Sequence, residues 1–143
     1  MNGEFDKQFV DTNILVYAHD RSSGTKHSQA KMLIQSLWES RTGSISIQVL
    51  QEFYNVSTRK LERPLPSAEV SQIINSLGKW HVHTPKVGDV LGAIQVQERY
   101  NISFWDAMIV HSANRLGCAV LWSEDLNAGQ IYQQVRVQNP FKE

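Results

Sequence analysis

FVDTNILVYAHD, residues 9–20, passes from a strand pattern to a helix pattern within a few residues. Phe9 and Val10 begin an apolar run that resumes at Ile14-Leu15-Val16-Tyr17. Asp11, Thr12 and Asn13 interrupt it. The reading is a short strand, Phe9 to Asp11, ending at a polar turn, with a short helix from Ile14 to Ala18. A carboxylate beside a core strand is costly to bury unless it is paired, hydrogen-bonded or bound to a metal. Asp11 therefore needs a reason to be there.

The same alternation repeats outward from this unit. Ala30, Leu33, Ile34, Leu37 and Trp38 form one stripe on a helix from about Thr25 to Arg41, with Gly43 as its stop. Ser44 to Ile47 alternates as a strand, and a helix follows over about Val49 to Lys60. Pro64 and Pro66 break it, and Ser67 is expected to cap another helix whose inner face is Val70, Ile73, Ile74 and Leu77. Trp80 to Thr84 reads as a third strand, Asp89 to Tyr100 as a helix, and Ser103 to Leu116 as the next, stopped by Gly117. Ala119 to Trp122 is a continuous apolar strand of the kind buried on both faces. Val135 and Val137 suggest a last edge strand. Strands alternating with helices imply an α/β fold, with a mostly parallel central sheet and helices on both sides. The expectation is one domain over residues 1–143, with residues 1–7 as a candidate disordered lead-in.

The 14 basic and 14 acidic residues cancel, eight of each up to Val70 and six of each beyond. This argues against a non-specific nucleic-acid coat, although a nuclease with an acidic site stays open. One cysteine, Cys118, allows no intrachain disulfide. The polar N-terminal stretch has no apolar core of a signal peptide, and no run approaches the ~20 apolar residues of a membrane span. A cytoplasmic location and no membrane association are expected.

In a parallel sheet, ligands gather beyond the carboxyl ends of the strands. Asp11, Glu52, Asp106 and Asp125 all fall near strand or helix ends of that kind. Each also has an ordinary reading: Asp11 as a helix cap, Asp106 in a Ser-x-x-Asp capping box, Glu52 on a solvated face, Asp125 in a turn. Taken together they weigh differently. Two carboxylates ~4 Å apart repel by about 4 kcal/mol at an effective dielectric near 20. Hard oxygen ligands without Cys or His suit Mg²⁺ or Mn²⁺. Such a cation at a carboxylate cluster supports attack of water on a phosphodiester.

Val10-Asp11-Thr12-Asn13-Ile14-Leu15, Gln51-Glu52-Phe53, Trp105-Asp106-Ala107 and Leu121-Trp122-Ser123-Glu124-Asp125-Leu126-Asn127 resemble, in order and interval, the four motifs of PIN domains. The nearest resemblance is to the small VapC-type toxins, over nearly the whole chain. The resemblance implies a three-layer α/β/α fold and a Mg²⁺- or Mn²⁺-dependent endoribonuclease acting on RNA. It implies Asp11 and Asp106 as principal metal ligands, Asp125 as a direct or water-mediated one, and Glu52 positioning the metal or the attacking water. Thr12, Asn13, Ser123 and Asn127 would support them. It further implies a homodimer and a small antitoxin that blocks the pocket. Many family members carry a second acid where this chain has Asn127. That departure favours one metal, or a second completed by substrate. Glu124 is expected to face solvent.

Other polar residues read more plainly. His81 and His83 are expected as a structural or exposed pair, His111 as a hydrogen-bonded helix residue, and Cys118 as buried apolar bulk. The four tryptophans read as core or interface. Arg59, Lys60 and Arg63 are either a solvated helix end or a guide for the RNA backbone. Two competing functions remain. A PIN-like module that binds RNA or protein without cutting would have no use for four clustered acids. A phosphatase built on Asp11 would need a second Asp at the position of Asn13.

Overall fold

A computed structural model describes residues 6–142. The elements are β1 (Gln8–Val10), α1 (Thr12–His19), α2 (Thr25–Ser40), β2 (Gly43–Ser46), α3 (Ile47–Arg59), α4 (Ser67–Leu77), β3 (His81–His83), α5 (Val87–Tyr100), α6 (Phe104–Arg115), β4 (Val120–Trp122), β5 (Ile131–Tyr132) and β6 (Val135–Gln138). They form one six-stranded sheet of order β3-β2-β1-β4-β6-β5. Every pairing is parallel except that of β5 with β6. The α/β expectation with a mostly parallel sheet between helices is met. The expectation of disorder before Gln8 falls mainly on residues 1–5, outside the described residues. Lys7 is described, and its carbonyl accepts the Ala119 N–H at 2.9 Å.

The strand order sets where the site lies. From β1 the chain steps outward through β2 to β3, then crosses back to lay β4 on the other side of β1. Right-handed crossovers in opposite directions put their helices on opposite faces. Accordingly α1 packs on α2 and α3, whereas α5 packs on α6, and α6 lies against β2, β4 and β6. The order reverses at β1, and the crevice beyond its carboxyl end is the switch point of the sheet. The core over both faces is aliphatic and aromatic, with Phe9, Val10, Ile45, Leu121 and Val137 fully buried in the strands.

Four local readings need correction. α2 is closed by Arg41 in the left-handed conformation (φ 61°), two residues before Gly43. Gly43 instead begins β2, where a Cβ would stand 2.6 Å from the Trp80 ring. Ser67 is the first residue of α4, and Pro66 occupies the cap position. Val135 and Val137 belong to β6, which is an interior strand, because a two-residue strand, β5, covers its outer side. β4 lies between β1 and β6 as a buried strand should, but only Leu121 is fully buried, with Val120 and Trp122 half-buried.

The Gly43 contact gives a first expected result. Gly43→Ala is to destabilise the protein by about 2 kcal/mol, since overpacking a rigid core costs of that order. Trp80 cannot retreat freely, because Trp38 packs edge-on against it at 5.4 Å. Urea denaturation of the variant checks this, and an unchanged midpoint would refute it.

Candidate active site

The four acids arrive from four places in the chain and line one cleft of about 400 Å³, together with Thr12, Asn13, Gln48, Asn55, Lys60 and Trp105. β1 ends one residue before Asp11, which caps α1: its Oδ1 accepts the Thr12 N–H at 2.7 Å. Ser46 ends β2 and caps α3 through the Val49 N–H, so that Glu52 emerges in the second turn of that helix. Ser103 caps α6, setting Asp106 in its first turn. Ser123 and Asp125 follow β4 directly.

A hydrogen-bond frame holds these carboxylates in relation to one another. The Thr12 hydroxyl donates to Glu52 Oε1 at 2.6 Å, so one residue grips two acids. Ser123 is fully buried; its hydroxyl donates to Asp11 Oδ2 at 2.9 Å and accepts the Asp125 and Leu126 N–H groups at 3.2 and 3.3 Å. Asn13 donates its amide to Asp125 Oδ2 at 2.7 Å. The supporting positions expected from the sequence at Thr12, Asn13 and Ser123 are thus in contact with the acids. Asp106 differs: its carboxylate accepts no hydrogen bond from the described residues, and it faces the cleft with its acceptors free.

The electrostatics are those of a site short of positive charge. Burial lifts the Asp11 carboxyl to about 7, with the nearby Asp125 and Asp106 charges adding to the rise against the Ser123 and Thr12 hydrogen bonds. Asp125 is raised as well, by desolvation first and then by Asp106 and Glu124. Among the described residues, none of the four acids takes part in an ion pair. All donors are oxygen; no His or Cys lines the cleft. Among the described residues no three acidic, imidazole or thiol groups stand close enough together to hold a metal ion between them. An open site of this kind fits Mg²⁺ or Mn²⁺, which keep waters and use one or two carboxylates plus substrate oxygens.

Several expected residues lie elsewhere. Asn127 does not line the cleft; it is exposed, and its amide donates to Gln130 at 3.2 Å. Glu124 is not simply solvated: it is held by the Tyr17 hydroxyl at 2.8 Å and by an ion pair with Lys26. Of the three basic residues, Lys60 lines the acidic cleft. Arg63 lines a separate, larger hollow of about 810 Å³ with His19, Asp20, Arg21 and Glu69, which holds none of the four acids. Arg59 is exposed and lines neither.

Sequence reasoning missed Gln48. It is one turn before Glu52, and its amide donates at 3.3 Å both to Glu52 Oε2 and to the Trp105 carbonyl, tying α3 to α6 across the cleft. Nothing local distinguishes it from a polar helix residue. It missed Asp89 too, which collects His83, His111 and Arg115 at 3.4, 2.8 and 3.4 Å away from the cleft. Cys118 is buried, which pushes its thiol up to about 11 and keeps it inert.

The family model described as PIN domain matches residues 9–133. Comparison with curated proteins finds no match. A toxin–antitoxin complex from Klebsiella pneumoniae contains a chain similar in fold, with a TM-score of 0.70 and 16% identity over 96% of this chain and 100% of that one. The VapC20 toxin of Mycobacterium tuberculosis, described as cleaving the sarcin–ricin loop, gives 0.66 and 21% over 83% and 90%. A DNA-bound VapBC from Salmonella typhimurium gives 0.65 and 15% over 94% and 98%. At these identities the likeness is one of fold. Among the described residues, no helix is long and apolar enough to cross a membrane.

Proposed function

Because this chain belongs to the PIN domain family, we propose that it is a Mg²⁺- or Mn²⁺-dependent endoribonuclease that hydrolyses RNA phosphodiester bonds in the acidic cleft, and that it is the toxin of a toxin–antitoxin pair. One observation carries the catalytic half: four carboxylates from distant segments share a cleft and, among the described residues, have no ion-pair partner. A fold has little reason to gather that much like charge unless a cation offsets it.

Asp11 and Asp106 would hold the cation, with Asp125 reaching it directly or through water. When bound, the cation neutralises charge developing on the phosphate and makes water a stronger nucleophile. The chain does the positioning. Thr12 and Ser123 fix both oxygens of Asp11. Asn13 aims Asp125. Glu52, held on Oε1 by Thr12 and on Oε2 by the Gln48 amide, can orient the attacking water. Lys60 offers an ammonium to the phosphate backbone. With Asn127 turned away from the cleft, the chain's own donors favour one metal over two.

The toxin half is supported by the three fold relatives, each described as a toxin or a toxin–antitoxin complex. It carries with it a cytoplasmic location, a small antitoxin that blocks the cleft, and a homodimer. For the homodimer, α5 offers an exposed apolar stripe at Val87, Val90, Leu91 and Ile94.

The test is cleavage of total cellular RNA and of a sarcin–ricin loop RNA by the purified protein in Mg²⁺, Mn²⁺ or EDTA. Cutting is expected with either metal and not with EDTA. Asp106→Asn should lower the rate more than about a hundredfold, since even groups that only support a metal ligand are worth 10- to 100-fold. The same variant should keep its melting temperature within about 2 °C, because that carboxylate makes no hydrogen bond to lose. A folded Asp106→Asn protein with undiminished activity would overturn the site.

A further inference from the structure

Trp105 is the most exposed of the four tryptophans: it is 63% exposed and lines the acidic cleft beside Asp106. Its placement is fixed from two sides. The Phe104 ring, itself packed on the core, meets it edge-on with centroids 5.0 Å apart. The Trp105 carbonyl receives the Gln48 amide that also binds Glu52. A bare indole is thus held in register with the carboxylates, with Lys60 on the same cleft. Large exposed aromatic surface next to a charged cleft suits a flat, apolar-faced ligand carrying anionic groups.

We propose that Trp105 is a stacking residue of this cleft, its indole lying on a nucleobase next to the scissile phosphate. This rests on the ribonuclease reading above and assigns that cleft a base contact. Aromatic faces accept any base, while a paired base offers no open face. A protein partner fits the ring less well. The apolar stripe of α5 begins toward the far end of α6: Asp89, in the same turn of α5 as Val87 and Val90, contacts His111 and Arg115, whereas Trp105 is in the first turn of α6.

The experiment measures binding, in Mg²⁺, of a fluorescein-labelled 12-nucleotide 2′-O-methyl RNA of mixed sequence, single-stranded and annealed to its complement. Trp105→Ala should weaken single-strand binding roughly tenfold to a hundredfold. Trp105→Phe, which keeps a ring, should cost under about threefold, and neither should alter duplex binding. In cleavage of total RNA, Trp105→Ala should raise KM more than it lowers kcat. Circular dichroism and sedimentation accompany each variant. Unchanged single-strand binding by folded Trp105→Ala overturns the stack while leaving the nuclease standing. So does equal loss on single strand and duplex, which marks a structural role, or a changed oligomeric state, which marks a protein contact. A wild-type protein that neither cuts RNA nor binds either probe removes the ribonuclease reading and the stack together.

Discussion

Asp11→Asn is expected to abolish cleavage and, in the absence of metal at pH 8, to make the protein more stable than the wild type. The two effects share one cause. The Asp11 carboxyl is lifted by burial from its ordinary 3.8 to about 7. Between those values the folded chain binds more protons at this site than the unfolded chain. Stability of the metal-free protein therefore falls as pH rises from about 4 through 7, and the penalty is complete above 7. A shift of that size is worth of order 4 kcal/mol. Asparagine keeps an oxygen for the Thr12 N–H and removes the charge, but its amide competes at Ser123, whose hydroxyl already accepts two backbone N–H groups. A net gain of about 2 kcal/mol at pH 8 remains. It should vanish near pH 4.5, where the wild-type carboxyl is protonated.

Divalent cation should act on the same difference. It binds the folded wild type and offsets the buried charge, adding ~2.7 kcal/mol at a hundred times its dissociation constant. The variant gains little, so Mg²⁺ or Mn²⁺ closes or reverses the gap. Thermal denaturation of both proteins at pH 4.5 and 8, in EDTA and in metal, measures all of this on one instrument. A variant less stable than wild type in EDTA at pH 8 would mean that Asp11 is an ordinary helix cap whose hydrogen bonds outweigh its charge. Retained cleavage would remove it from the site.

What could be read in advance follows from how local each signal is. Asp11 interrupts an apolar run, and the interruption is visible because strand and helix periodicities flank it. Ser123 and Asp125 follow an apolar strand in the same way. The turn between β5 and β6 was invisible for the opposite reason. Gln133 takes the left-handed conformation (φ 59°) in a two-residue turn, a place where Gly or Asn would have announced a hairpin. Arg41 hid the end of α2 similarly, and the nearby Gly43 drew the reading past it. Gln48 and Trp105 are farther from local reach still. Their importance comes from α3 and α6 meeting across a cleft, and an exposed tryptophan has the same letter as a buried one. Asp89 could be read only as the start of a helix; its histidines lie before and after it in sequence, and only packing brings both rings to one carboxylate.

That cluster supports the last expectation, which runs opposite to the first. Asp89→Ala should lower stability by about 3 kcal/mol, or roughly 10 °C in melting temperature for a chain of this size. The carboxylate is nearly enclosed and does three things at once. Oδ2 accepts the Lys86 N–H at 2.8 Å, closing the first turn of α5. Oδ1 accepts His111 Nε2–H at 2.8 Å from α6. His83 Nε2 stands 3.4 Å away at the end of β3, with its other ring nitrogen on Ser112. The Lys86 N–H first, then His111, hold the Asp89 carboxyl down near 2. Its contribution is therefore complete above the ordinary carboxylate value of about 3.9 and is lost only as pH falls toward 2. Burial lowers the His83 value, so that ring resists protonation in the fold, and the wild type itself weakens as pH drops below about 6.5. From pH 8 to 7 neither group titrates appreciably, and the deficit of the variant should be flat there. None of these atoms touches the acidic cleft. At 20 °C, the protein that remains folded should cut RNA within about threefold of the wild-type rate. Removing one buried carboxylate is thus expected to silence the enzyme while stabilising its metal-free fold, and removing the other to loosen the fold while sparing the chemistry. If Asp89→Ala left the melting temperature unmoved, the α5–α6 contact would have to rest on Ala93, Val96 and their apolar neighbours alone.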